Sequence, residues 1–277
     1  LISETFLERY RFLIEGIKKV HPEITIVGTV GPFWEGSDYE YGWKEAKEKN
    51  IPIVDEHYYN SIGWYFHHRD YYDNYDRQGT KVYLGEWASK GNNVINALVE
   101  AAYLANVERN ADVVVMSSYA PLLAKEGHTS WNPDLIYFNN KEVKPTVNYF
   151  VQRGYGQNAG DKYVYSDLQS TITTQDDKTN QDSRVAERID KSVVIDSQTG
   201  DLIIKLVSLL PMEATVNIDL GESGIKGYDT TADFTVMAGD SAPGKERNWK
   251  TNETKTLSVD SKFKVTITAY SFSIIRI

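Results

Sequence analysis

The run KVYLGEWASKGNNVINALVEAAYLANVERNADVVVMSSY, residues 81–119, indicates the class of fold. It starts with a short apolar segment at 81–88, continues with an alanine-rich segment of helical length at 94–109, and ends with a second apolar segment at 113–119. Neither apolar segment alternates cleanly between apolar and polar residues, and strands buried on both faces of a sheet have this pattern. The run therefore predicts a strand, a helix and a second strand of one parallel sheet.

The same helix-then-strand alternation extends back toward the first residues. The spacing of apolar residues predicts helices at 4–20, 41–49 and 61–77, and strands at 24–30 and 51–59. A complete eight-stranded βα barrel takes about 250 residues, whereas this pattern gives four strands and then stops. We therefore predict an α/β domain at 1–157 that is half of a (β/α)8 TIM barrel.

A different pattern follows a predicted closing helix at 144–156, which has Pro145 near its start, as first helical turns favour. From residue 161 onward Thr, Val, Ile and Ser become more frequent, and turn signals recur. The strand patterns lie at 193–207, where a hairpin turns around 197–200, and at 215–220, 234–237 and 262–277. We predict an all-β domain at 158–277, an antiparallel, jelly-roll-like β-sandwich.

Composition narrows the range of partners. The formal net charge of −9 and the pI of about 5.2 argue against nucleic acid, whose phosphates favour patches of Lys and Arg. No apolar run approaches the roughly 18 residues of a membrane span, so we expect no membrane partner. The chain has no cysteine, which excludes disulfides, thiol catalysis and cysteine metal sites. This composition suits an oxidising compartment, and we expect a periplasmic or secreted protein.

The polar ends of three predicted strands form the candidate site, because the active site of a βα barrel lies at the carboxyl ends of its strands. The residues at those ends are Asp55, Glu56, His57, Tyr58 and Tyr59, then Glu86 and Trp87, then Ser117, Ser118 and Tyr119. From the residues alone, Glu86 is either functional or a buried partner of an Arg or His. Likewise, His57 is either a ligand contact or a satisfied core histidine.

Strand alternation adds detail around Glu86. It places Glu86 on the same face as Val82 and Leu84, and Gly85 on the opposite face. A glycine beside Glu86 leaves space that a closely approaching ligand would need. We expect no metal site, because metal-ligand spacing of the His-Glu-x-x-His kind does not occur in the sequence.

Five motifs occur in a fixed order along the chain. They are VDEHYY at 54–59, VYLGEWA at 82–88, SYAPL at 118–122, WNPDLI at 131–136 and YSFSIIRI at 270–277. From about residue 5 to its last residue, the chain resembles the C-terminal portion of the family 51 glycoside hydrolases, the α-L-arabinofuranosidases. The resemblance implies barrel strands 5 to 8 followed by a β-sandwich. It also implies a retaining glycosidase, without cofactor, that releases terminal α-L-arabinofuranosyl residues from polysaccharides or oligosaccharides.

The resemblance implies roles for particular residues. Glu86, on the seventh barrel strand, would be the catalytic nucleophile. His57 and Tyr59, on the sixth strand, would line the sugar subsite, and the Tyr59 hydroxyl would donate to Glu86 and stabilise its negative charge. Further substrate contacts would come from Trp87, Tyr119 and Trp131. Retention requires a second carboxyl group about 5–5.5 Å from the nucleophile, acting as acid and then as base.

In this family the acid/base glutamate follows an asparagine at the end of the fourth barrel strand. The sequence has no Asn-Glu pair in that context, because Asn252-Glu253 falls in a predicted sandwich loop. We therefore expect the acid/base upstream of Leu1, in an N-terminal half-barrel that would partner this chain, and little activity from the chain alone. Asp55 and Glu56 are the substitutes at hand, but the family gives neither that role, and alternation puts Glu56 opposite His57.

Two other functions remain open. A non-catalytic carbohydrate-binding module on the sandwich would need an exposed aromatic platform, and Trp249 is the only tryptophan after residue 160. A half-barrel could also associate with a second copy of itself to cover its open sheet edges, which would make the protein a homo-oligomer.

Overall fold

The computed structural model describes residues 4–169, 187–221 and 230–277. Five helices lie within these residues: α1 (Glu4–Val20), α2 (Ser37–Glu48), α3 (Ile62–His67), α4 (Val94–Arg109) and α5 (Val147–Gln157). The strands of the same residues are, in chain order, β1 (Val27–Thr29), β2 (Ile53–Asn60), β3 (Lys81–Ser89), β4 (Val114–Tyr119), β5 (Leu123–Lys125), β6 (Ile136–Phe138), β7 (Val143–Pro145), β8 (Lys162–Tyr163), β9 (Ile189–Ile195), β10 (Leu202–Ser208), β11 (Ala214–Asp219), β12 (Thr231–Ala238), β13 (Thr251–Ser258), β14 (Lys262–Ile267) and β15 (Ser271–Arg276).

The described residues pack into two compact units, and each unit draws on several stretches of the chain. The first unit takes the described residues of Leu1–Asn60, Asp70–Ala88 and Asn110–Leu122. The second unit takes those of Ser61–Arg69, Ser89–Arg109 and Leu123–Ile277. Consequently strands β1 to β4 belong to the first unit, and helices α3, α4 and α5 belong to the second.

The first unit is built on a sheet with the strand order β1-β2-β3-β4. β1 runs parallel to β2, with Gly28 paired to Val54, and β3 runs parallel to β4, with Val82 paired to Val114. Helices α1 and α2 contribute apolar side chains to a core beside β1 and β2. That core contains Val30, Ala46, Ile51 and Val54, packed with Tyr10, Ile14, Tyr39 and Trp43. The apolar strands predicted from the sequence are therefore present, with β1 shorter than expected.

The prediction of one helix over 61–77 is wrong. Helix α3 ends at His67, and the residues up to Gly79 form turns and bends. The Asp76 carboxylate accepts the backbone N–H of Gln78 at 2.9 Å, a local bond that stabilises a turn instead of a helix. Tyrosines of this segment also turn inward to a buried carboxylate, which a straight amphipathic helix would not allow.

The second unit contains the β-sandwich expected from the C-terminal sequence. One sheet has the order β13-β12-β15-β10-β9-β8, and β11 pairs with β14 in a separate sheet. The two sheets share an apolar core to which β10, β12 and β15 contribute Ile204, Phe234 and Ile275, and β14 contributes Val265. Alternate residues of β14 point into this core, which is the pattern of a strand with one solvated face.

Two details of the sandwich differ from or refine the sequence patterns. The predicted hairpin is formed by β9 and β10, and Gly200 adopts a left-handed conformation (φ +88°) in its turn. The final stretch, 262–277, contains two strands in different sheets. Tyr270 lies between them with a φ of 45°, so the chain direction changes there and β15 enters the larger sheet.

The helices of the second unit pack within it. Helix α4 is apolar around most of its circumference, and it contacts α3, α5, β9 and β10. Helix α5 begins after Thr146, whose hydroxyl accepts the N–H of Tyr149, so Pro145 ends β7 and the predicted first-turn position of Pro145 is wrong. A small sheet of β5, β6 and β7 was not expected. In the part of the chain that the structure describes, no helix is both long and apolar enough for a membrane span.

Candidate functional site

Strand β2 presents two different sets of side chains on its two faces. Asp55, His57 and Tyr59 alternate with Glu56 and Tyr58, and the second pair is fully buried. The first face is partly exposed and is the one that meets Glu86 from β3. The second face contacts aromatic side chains of the first unit. β2 therefore links a partly open polar site to a closed one.

The open face brings Glu86, His57 and Tyr59 together. The Tyr59 hydroxyl donates to Glu86 Oε2 at 2.8 Å, and His57 Nδ1 lies 3.6 Å from the same oxygen. The Glu86 side chain is 47% exposed, so a ligand can reach its carboxylate. A half-exposed carboxylate oriented by a tyrosine hydroxyl and an imidazole has the arrangement that a nucleophile or a hydrogen-bonding subsite needs.

A β-bulge gives Glu86 this position. β3 and β4 pair Leu84 with Ser117 and Trp87 with Tyr119, so β3 has one residue more than β4 over this interval. Such a bulge re-aims side chains and interrupts strict alternation. The expectation that Glu86 shares a face with Leu84 is therefore wrong. Trp87 instead returns to the Leu84 face, where its indole N–H donates to Ser117 Oγ at 2.9 Å.

His57 lies between two carboxylates. Its Nε2 is 2.8 Å from Asp55 Oδ2, while Nδ1 faces Glu86. The hydrogen bond with Asp55 raises the pKa of His57 above its usual range; desolvation opposes this effect, and the charges of Asp55 and Glu86 reinforce it. The raised pKa extends the pH range over which a protonated His57 places a positive charge next to Glu86.

The space over Gly85 is occupied. A Cβ at this position would lie 2.8 Å from Asp55 Cγ, closer still to Asp55 Oδ1, and 3.1 Å from Tyr83 Cε1. The sequence predicted that this glycine makes room for a ligand, and the structure corrects that prediction, because the Asp55 carboxylate fills the room. Tyr83 is itself fixed by a hydrogen bond of 2.7 Å between its hydroxyl and Ser118 Oγ.

The closed face of β2 contains a cluster that sequence reasoning missed, which we call the Glu56 cage. Glu56 is fully buried and accepts hydrogen bonds from Trp43 Nε1 at 2.9 Å, from Tyr75 at 3.0 Å, from Tyr72 at 3.2 Å and from Tyr58. Burial raises the pKa of Glu56, and these hydrogen bonds oppose the rise. The available signal was the tyrosine-rich stretch around residues 71–75, which the sequence analysis included in a helix predicted at 61–77.

The remaining predicted contacts are Trp87, Tyr119 and Trp131. Trp87 is fully buried against Ser117 and Tyr119, which leaves its ring no surface for a sugar. This burial corrects the expectation that Trp87 contacts a substrate. Tyr119 is partly exposed at the end of β4. Trp131 belongs to the second unit and is 69% exposed.

A family model matches the greater part of the chain. The model describes the alpha-L-arabinofuranosidase C-terminal domain, and it matches residues 72–271. An extracellular exo-alpha-L-arabinofuranosidase of Streptomyces chartreusis is 45% identical over 170 residues, which are 61% of this chain and 21% of that protein. Alpha-L-arabinofuranosidase 1 of Arabidopsis thaliana is 31% identical over 174 residues, which are 60% of this chain and 24% of that protein.

Solved structures share the fold. The arabinose-bound MgGH51 α-L-arabinofuranosidase superimposes with a TM-score of 0.78 at 23% identity and covers 97% of this chain and 42% of its own. The thermostable GH51 enzyme of Thermotoga petrophila RKU-1 gives a TM-score of 0.72 at 15% identity, over 100% of this chain and 62% of its own. At such identities the likeness concerns the fold alone.

Proposed function

The chain belongs to the family of the alpha-L-arabinofuranosidase C-terminal domain, and from this premise we propose that it serves a retaining glycoside hydrolase. The proposed reaction releases terminal α-L-arabinofuranosyl residues from polysaccharides or oligosaccharides. The chain spans about a fifth (21%) of the length of the Streptomyces relative. A secreted location is part of the same proposal, supported by the word "extracellular" in the name of that relative.

The proposed mechanism uses Glu86 as the nucleophile. Its carboxylate attacks the anomeric carbon, the bond to the leaving oxygen breaks, and a glycosyl ester on Glu86 forms; water then hydrolyses this ester. The observation that supports this role is the 2.8 Å hydrogen bond from Tyr59 to a half-exposed carboxylate at the end of a parallel strand. His57 and Tyr59 would bind the sugar beside it.

Neither Asp55 nor Glu56, the two carboxylates that precede His57 on β2, suits the acid/base role. Glu56 is fully buried in its cage, so it cannot reach a glycosidic oxygen. Asp55 has one oxygen on His57, and the other is buried. The proposal therefore assigns protonation of the leaving group to a carboxyl group other than these two.

The architecture that we propose is the C-terminal half of a (β/α)8 barrel at 1–157, with strands β1 to β4 as barrel strands 5 to 8, and a jelly-roll-like sandwich at 158–277. The sheet order β1-β2-β3-β4, its parallel pairs and the alternating helices support this assignment. The outer strands of the sheet, β1 and β4, would pair with an N-terminal half-barrel, or with a second copy of the chain in a homo-oligomer.

A non-catalytic carbohydrate-binding module finds no support. The Trp249 side chain is half-buried, and its indole N–H donates to the Val147 carbonyl at 3.2 Å. A ring held in this way does not offer the exposed platform that such a module needs.

Covalent trapping tests the proposal directly. A dinitrophenyl α-L-arabinofuranoside has a leaving group that departs without protonation, so it tests the nucleophile separately from the acid/base. We expect the peptide that carries Glu86 to gain the mass of one pentosyl group after rapid quenching. Glu86→Gln should abolish the adduct, while Glu48→Gln, at an exposed glutamate of the same unit, should retain it. An adduct on another residue, or none in the unmodified chain, would refute the assignment.

A further inference from the structure

Asp55 lies on the open face of β2, but one of its two carboxylate oxygens is closed to solvent. Oδ1 is buried and has no hydrogen-bond partner among the described residues, and Oδ2 contacts His57 Nε2 at 2.8 Å. A carboxylate in this position cannot hydrogen-bond a sugar through Oδ1. The hydrogen bond that joins Asp55 to the site is the one between Oδ2 and His57.

The backbone of β3 fixes this carboxylate from the other side. A side chain at Gly85 would collide with Asp55 Oδ1 and would lie 2.8 Å from Cγ. Glycine at 85 is thus a condition for the present position of Asp55. The same residue is part of the bulge that directs Glu86 to His57 and Tyr59, so a single local feature of β3 holds both carboxylates.

The two nitrogens of His57 face different carboxylates. A carboxylate only accepts hydrogen bonds, so the contact with Asp55 requires a proton on Nε2. This contact sets the ring orientation and leaves Nδ1 to face Glu86 at 3.6 Å. The charged groups that face His57 are Asp55 and Glu86, and the neutral Tyr59 hydroxyl shares the Glu86 oxygen.

We propose that Asp55 is the positioning residue of the site: seated over Gly85, it orients His57 and holds its positive charge beside the nucleophile. This inference rests on the proposed role of Glu86. A hydrogen-bonded carboxylate that orients a histidine is a general device for fixing both its tautomer and its charge. The raised pKa of His57 agrees with it.

The test is a titration of His57 by long-range ¹H–¹⁵N NMR in the full chain, with the signal assigned by its loss in His57→Gln. Asp55→Asn should lower the His57 pKa toward the usual value of about 6.5. Gly85→Ala, which retains every charge but displaces Asp55, should lower it in the same direction. Asp112→Asn, at an exposed aspartate of the same unit that pairs with Arg77, should leave it unchanged.

A second readout links the titration to the reaction. The rate of adduct formation from the dinitrophenyl substrate should fall at least about tenfold in Asp55→Asn, and its pH profile should move with the His57 pKa. An unchanged His57 pKa in both folded variants would overturn the inference, and so would a lowered pKa with an unchanged rate. If the unmodified chain forms no adduct, the proposed function fails, while the titration still decides whether Asp55 controls His57.

Discussion

The Tyr59 hydroxyl is the direct hydrogen-bond donor to the proposed nucleophile. It donates to Glu86 Oε2 at 2.8 Å, and burial, followed by the bond to Glu86, raises the pKa of Tyr59 well above its usual value. A tyrosine with a raised pKa keeps its proton as the solution becomes alkaline. Tyr59 therefore stays a donor beyond the pH at which an ordinary tyrosine, with a pKa of about 10, loses its proton.

Tyr59→Phe should slow the reaction without unfolding the protein. A hydrogen bond to a charged group contributes about 1.5–3 kcal/mol, which corresponds to a loss of about ten- to a hundredfold in the rate of adduct formation. Quenched-flow mass spectrometry with the dinitrophenyl substrate measures the rate at which the adduct forms. Tyr41→Phe, at an exposed tyrosine of α2, is the matched control. Equal rates for the two variants would contradict the orienting role of Tyr59.

The sequence predicted part of this site for a clear reason. His57 and Tyr59 are two residues apart on one strand, so alternation alone predicts that they share a face. Glu86 lies on another strand, and its direction depends on a bulge defined only by the pairing with β4. The position of Asp55 against Gly85 likewise depends on how β2 and β3 pack together, which a single sequence does not specify.

At the scale of elements, β2 is held from behind by the Glu56 cage. Its donors come from α2 through Trp43 and from the segment after residue 69 through Tyr72 and Tyr75. Glu56 thereby connects three separate elements of the first unit through one carboxylate. Because these hydrogen bonds fix the position of β2, they also fix the positions of His57 and Tyr59 on its open face.

Glu56→Ala should therefore destabilise the protein strongly. The substitution leaves a cavity and removes the acceptor of four donors, of which Tyr58 and Tyr72 are buried and Trp43 and Tyr75 partly buried. We expect a loss of about 3 kcal/mol or more in the free energy of unfolding. Glu48→Ala removes an exposed glutamate of α2 paired with Lys44 and should cost about 0.5 kcal/mol at most. Urea denaturation measures both free energies of unfolding. Similar losses in the two variants would contradict the stabilising role of the Glu56 cage.

The pH dependence provides a separate signature of Glu56. Its folded pKa is raised by burial, so above the unfolded value of about 4.3 the unfolded chain releases a proton that the folded chain retains. Stability should therefore fall as pH rises through this window, by at most about 1.4 kcal/mol per pH unit. Glu56→Gln should lack this component when both proteins are unfolded in urea between acidic and neutral pH.

The cage also explains why the helix predicted over 61–77 fails. Apolar and aromatic residues recur there at helical spacing, but the tyrosine hydroxyls have a buried acceptor on β2. Satisfying that carboxylate outweighs local helical propensity, which is a weak preference. Long-range polar contacts of this kind have no periodic signal in the sequence.

At the scale of the whole molecule, the proposed function predicts that the reaction rate of the chain depends strongly on the pKa of the leaving group. Asp55 and Glu56 are unsuited to protonate a leaving group, and loss of a general acid typically costs 10²–10⁴-fold. With the chain alone, aryl arabinofuranosides of increasing leaving-group pKa should react progressively more slowly, and alkyl glycosides should barely react. Initial rates across such a series measure the slope. Rates that do not depend on the leaving group would place a working acid within the chain.

The two units differ in how well the sequence predicted them. Several sandwich strands follow from alternation, because one face of the strand is solvated, as in β14. By contrast, β13 forms where the sequence predicted a loop around Asn252 and Glu253. In the first unit the apolar runs reveal strands but not their pairing, and β1 is shorter than its apolar run. The small sheet of β5 to β7 has strands too short to give a periodic pattern.

The position of β15 has a consequence for how the protein is made. β15 lies between β12 and β10, yet it follows every other strand of that sheet along the chain. As the polypeptide emerges during synthesis, the residues of β9, β10, β12 and β13 appear before those of β15, so until then β10 and β12 lack their shared partner and each has an unpaired edge. Only the arrival of β15 joins the two ladders, so the nascent sandwich is most vulnerable to aggregation just before that strand appears.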